Sequence, residues 1–91
     1  MKNAPVTKPK RLGEKLRQIR LALGLSQSEM LDRLGFSENL FRGNISQYEH
    51  GRREPPLMVL LAYARCAGIS TDILIDDTKD LPAKLAHNQS K

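Results

Sequence analysis

Apolar residues recur along this chain at helical spacing, and no stretch shows the strict alternation of a half-buried strand. Leu12, Leu16, Ile19 and Leu23 share one face of a helix predicted over 11–23. Gly24 follows it as the residue best suited to the positive φ of a helix end. After Leu25 comes Ser26-Gln27-Ser28-Glu29, a capping-box pattern in which the Ser26 hydroxyl takes an orphan amide and Glu29 reaches back. A second helix over 27–34 would bury Met30, Leu31 and Leu34 and end at Gly35. The next stretch has two readings. Phe41, Ile45 and Tyr48 keep a spacing that suits one helix over 38–49. Gly43, at a cost of about 1 kcal/mol in a helix interior, favours a break near itself, with Asn44 and Gln47 capping a fresh helix. The balance falls on the break.

Gly51 closes that segment, and the Arg52-Arg53-Glu54-Pro55-Pro56 loop follows. Pro56 suits the first position of a fourth helix, whose stripe is Leu57, Leu60, Leu61, Ala64 and Ala67. Gly68 ends it, and Ser70 caps a short last helix carrying Ile73 and Leu74. Residues 1–10, with Pro5 and Pro9, read as a flexible basic arm, and residues 77–91 as a polar tail. The expectation is an all-α fold over 11–76, a compact bundle of about five short helices.

Composition narrows the role. The chain has 91 residues, 40 % of them hydrophobic and 27 % charged, which is ordinary for a globular protein. A domain of this size buries about 60–65 % of its unfolded surface, little enough that an elaborate enzyme is not expected. No apolar run approaches the ~18–20 residues of a membrane helix. The N-terminus has no apolar segment of secretory type, so a cytoplasmic protein is expected, without membrane contact. The single Cys66 allows no internal disulfide, and no metal or cofactor is implied. Net charge is +5, with pI near 9.7, and it is unevenly placed. Residues 1–20 hold seven Lys or Arg against the lone Glu14, whereas the remainder is close to balance. Such a field favours a polyanion, most simply nucleic acid.

The order of motifs is more specific than the charge. Leu23-Gly24-Leu25-Ser26-Gln27, Leu34-Gly35, Ile45 through Pro55, Ala67-Gly68-Ile69-Ser70 and Leu74-Ile75 together resemble the Cro/repressor-type helix-turn-helix family, also called XRE. The resemblance implies a lambda-repressor-like DNA-binding domain with its third helix in the major groove of operator DNA. It implies that Gln27 bonds a phosphate, that Arg52 and Arg53 grip the backbone, and that Arg20 and Glu49 form a structural ion pair. Lys10 and Arg11, with Lys8, extend the phosphate-binding set along the arm. Counting back from Ile45, the base-reading positions fall on Phe41, Arg42, Gly43 and Asn44, with Ser46 and Gln47 further on. Arg42 suits guanine, and Asn44 or Gln47 suits adenine. The plainer alternatives are that Asn44 caps the helix and that Arg42 is solvated or phosphate-bound.

One departure from the family stands out. Nine residues separate Gly35 from Ile45, about four more than the family's usual spacing, close to one helical turn. They either lengthen the third helix or form a loop that presents Arg42 differently. The expected function is a sequence-specific regulator, most simply a repressor, bound to operator DNA as a homodimer. The competing reading is an antitoxin-like or co-regulator subunit acting through a protein partner.

Overall fold

Leu16, Ile19, Met30, Ile45, Tyr63 and Leu74 are shielded completely from solvent, and between them they come from every helix of the fold. The computed structural model describes residues 8–85; residues 1–7 of the arm and 86–91 of the tail lie outside the described residues. The elements are α1 (Leu12–Ala22), α2 (Gln27–Leu34), α3 (Arg42–Glu49), α4 (Leu57–Ala67) and α5 (Thr71–Ile75). Among the described residues there is no strand, and no helix is long and apolar enough to cross a membrane. An isolated helix of five to eleven residues is marginal at best in water, so the five hold one another. Burying each Leu or Ile side chain contributes about 1.5–3 kcal/mol toward that.

The starts and stops explain how such short helices are placed. Ser26 Oγ accepts the Glu29 amide at 3.0 Å, and Glu29 Oε1 accepts the Ser26 amide at 2.8 Å, the expected capping box. Both bonds favour the ionised carboxylate and hold the Glu29 pKa below its ordinary value. Helices α1 to α4 all stop in the same way. At the end of α2, Gly35 adopts φ +86° and the Phe36 amide returns to the Leu31 carbonyl at 3.2 Å; at the end of α4, Gly68 at φ +71° and the Ile69 amide on Ala64 do the same. The residue after the glycine is Leu25, Phe36 or Ile69 at three of these stops, and each packs against the core. At the end of α3 it is Arg52, which is exposed. The chain therefore leaves α3 outward, carrying Arg52 and Arg53 into solvent.

The nine residues after Gly35 resolve into a loop and the start of a helix. The Phe36 carbonyl accepts the amides of Asn39 and Leu40, both at 2.9 Å, closing a tight turn. Phe36 and Leu40 then pack on the core. The helix opens three residues earlier than a cap at Asn44 predicts: α3 begins at Arg42, with Gly43 inside its first turn. There an amide needs no partner within the helix, so glycine is tolerated more readily than in the middle. Asn44 is not the residue that opens α3. It lies three positions after Phe41 and accepts that residue's amide with its Oδ1 at 2.9 Å.

Other local expectations shift slightly. Pro56 lies just ahead of α4. The buried stripe of α4 is Val59, Leu60, Tyr63, Ala64 and Ala67, while Leu57 is 82 % exposed. Ser70 precedes α5 but makes no side-chain cap bond. Residues 77–85 fold back along the bundle. Leu85 is buried and Leu81 packs against the core, and Asp77 Oδ2 and Oδ1 accept the amides of Lys10 and Arg11 at 2.8 and 3.0 Å. A carboxylate thus sits at the positive end of α1.

Candidate nucleic-acid interface

Three helices meet around one buried ion pair. Arg20 on α1 donates from Nε to Glu49 Oε2 at 2.7 Å and from Nη2 to Oε1 at 3.1 Å. Its Nη1 donates to the Leu25 carbonyl at 2.9 Å, just ahead of α2. The Arg20 side chain is 12 % exposed and that of Glu49 2 %. The bond to Glu49 raises the guanidinium pKa, outweighing the opposite effect of burial. A bidentate pair this enclosed fixes the angle between α1 and α3. Gln27, at the start of α2, donates from Nε2 to Glu49 Oε1 at 3.3 Å. That places the residue expected to hold phosphate on the same network, with its second amide hydrogen still available.

Gly13 brings α1 onto the end of α3. A Cβ there would lie 2.6 Å from the Glu49 carbonyl oxygen and 2.8 Å from that of Tyr48, so only glycine allows the approach. Tyr48 belongs to the core, and burial raises its phenol pKa. No periodicity marks this glycine. Lys15 was equally unmarked: it is only 3 % exposed, and its Nζ donates to the carbonyls of Ile73 and Asp76 at 2.7 and 3.0 Å. It satisfies the open end of α5 and spends one N-terminal cation inside the fold.

The expected DNA-contacting residues divide into two groups. Arg42, Gly43 and Gln47 are exposed along α3. Arg52 and Arg53 are exposed just beyond it. Among the described residues none of these arginines forms an ion pair; the pairs are Arg11 with Asp80, Arg20 with Glu49 and Lys79 with Asp72. Asn44 is half-buried, and its Oδ1 already accepts the Phe41 amide at the start of the helix. Ser46 is half-buried beside His50, whose Nδ1 lies 2.8 Å from the Ser46 carbonyl oxygen. On the arm, Lys8 and Lys10 are exposed and share a shallow groove with Arg53 and His50. Arg11 is engaged with the returning tail: it donates to Asp80 Oδ1 at 2.6 Å and to the Asp77 carbonyl at 2.8 Å.

Cys66 is half-buried on α4, where burial raises its thiol pKa. Among the described residues no cluster of His, Cys, Asp or Glu could hold a metal ion. The arrangement is therefore a short helix with an open N-terminal turn, a cationic exit and a rigid ionic hinge behind it.

Comparison with known proteins gives the same geometry a family. A family profile described as a helix-turn-helix domain matches residues 13–79, from the first turn of α1 into the fold-back. The chain is also similar to an uncharacterized HTH-type transcriptional regulator, y4dJ, of Sinorhizobium fredii (strain NBRC 101917 / NGR234). The two are 33 % identical over 73 residues, covering 80 % of this chain and 90 % of the relative. On its matched length and its five-helix fold, the chain belongs to the helix-turn-helix family of the Cro/repressor, or XRE, type.

Proposed function

We propose that this protein is a sequence-specific DNA-binding transcriptional regulator that lays α3 in the major groove of an operator and represses by occupying it. The observation that carries this reading is the charge pattern of α3. Arg42 stands at its start and Arg52 and Arg53 follow its end, all exposed and unpaired among the described residues. The name of the S. fredii relative supports the regulatory part. In this reading Arg42 pairs with guanine O6 and N7, and Gln47 with adenine one turn later. Gln27, Arg52, Arg53 and Lys10 hold phosphates and set the register.

The same reading includes a homodimer on a pseudo-palindromic site with half-sites about 34 Å apart. Leu57 and Ile75 are exposed around an apolar hollow formed with Pro9, Leu12, Pro55 and Leu60, a face suited to a second copy. Selection of bound duplexes from a random library, followed by titration in increasing salt, tests the proposal. A symmetric motif and a steep loss of affinity with salt are expected, since phosphate contacts release counterions. No enrichment, or affinity indifferent to salt, would overturn it in favour of the protein-partner reading.

A further inference from the structure

We infer that Phe41 reads thymine, its ring taking the C5-methyl group of a thymine next to the base contacted by Arg42. This rests on the DNA-binding reading above and deepens it.

The loop ahead of α3 carries three large apolar residues, and the fold uses two. Phe36 and Leu40 pack against the core, while Phe41 stays 79 % exposed. Its position is the boundary residue of α3, and the N-terminal residues of a recognition helix are those that meet base edges. The ring's attachment is held from both sides. The Phe41 amide donates to Asn44 Oδ1 at 2.9 Å, and its carbonyl accepts the Asn44 amide at 2.8 Å.

The neighbours leave the ring room. A side chain at Gly43 would meet nothing within 4 Å, and Asn44 is spent on the helix start. Of the four residues from Phe41 to Asn44, the two with exposed side chains are therefore an aromatic ring and a guanidinium. The major groove offers one apolar feature, the thymine methyl, and one paired-acceptor feature, guanine O6 with N7. An apolar ring beside a guanidinium matches a thymine adjacent to a guanine.

The test uses the full chain and its selected duplex, with single thymines replaced in turn by uracil. Each replacement removes one methyl and leaves base pairing intact. At one position per half-site the wild type should lose about three- to fivefold in affinity, the factor that transfer of one methyl group from water provides. In Phe41→Ala the same replacement should have no effect, whereas Phe41→Leu should keep part of it. Thermal melting should be alike for all three proteins, because the ring buries little in the fold. A wild type indifferent to every uracil overturns the inference, and so does a Phe41→Ala protein with an unchanged uracil response. A wild type that binds no duplex overturns the DNA-binding reading itself, and this inference with it.

Discussion

The first turns of α1 and α3 are built from similar parts and put to opposite uses. Each has an arginine at its boundary or first position, Arg11 or Arg42, and a glycine at its second, Gly13 or Gly43. In α1 the fold consumes everything. Asp77 takes the amides of Lys10 and Arg11, the Arg11 guanidinium lies on Asp80, and Gly13 is pressed against the Tyr48 and Glu49 carbonyls. In α3 only the Phe41 amide is satisfied by a side chain, while Arg42 and Gly43 face open space. Local residue type therefore does not decide which cation is left open to solvent. What decides it is whether the returning chain supplies carboxylates and carbonyls.

The junction of α1 with the end of α3 should give the largest effect. Glu49→Ala leaves the enclosed Arg20 guanidinium with the Leu25 carbonyl alone, and breaking such a pair costs about 3–5 kcal/mol. Chemical denaturation should show most of the domain's stability gone. A loss near that of an exposed surface pair would mean that the hinge behind α3 is not rigid.

Substituting the two glycines tests the contrast itself. Gly13→Ala forces a methyl against backbone carbonyls that have no rotamer to yield, and should destabilise by about 1–3 kcal/mol. Gly43→Ala meets nothing and should leave stability unchanged or improve it by up to about 1 kcal/mol, since alanine favours the helix. Equal melting temperatures for the two variants would remove the claim that α1 is seated on α3.

A smaller effect is expected at the tail. The amides of Lys10 and Arg11 hold the Asp77 carboxyl below its ordinary value of 3.8. A carboxylate with a depressed folded-state pKa contributes stability above its unfolded value and loses it as pH falls through the folded one. Asp77→Asn should therefore melt lower than wild type at neutral pH, with the gap closing below about pH 4. A gap independent of pH would show that the charge on Asp77 does not hold the fold-back.

Legibility in the sequence followed the range of each interaction. The capping box from Ser26 to Glu29 and the stops at Gly24, Gly35, Gly51 and Gly68 are signals within five residues, and they appear where the spacing put them. Arg20 with Glu49 was legible only through resemblance to the family, since 29 positions separate them. Lys15, Gly13 and Asp77 carried no local signal, because their partners lie in other helices or 66 residues away. The polar look of residues 77–85 hid a segment tied down by Asp77, Asp80 and Leu85, and with it the reason Arg11 is engaged within the protein. Phe41 was visible as a position on α3, but its exposure came only from knowing that Phe36 and Leu40 fill the space behind the loop.

The most direct test of an open α3 turn is base preference measured position by position for wild type, Arg42→Ala and Arg53→Ala on the selected duplex. Arg42→Ala should lose about 1–3 kcal/mol and become indifferent at one position per half-site, while Arg53→Ala should weaken every duplex alike and reduce the salt dependence. If the two variants lose affinity in the same sequence-independent way, α3 does not read bases through its first turn, and the contrast between the two helix starts has no functional meaning.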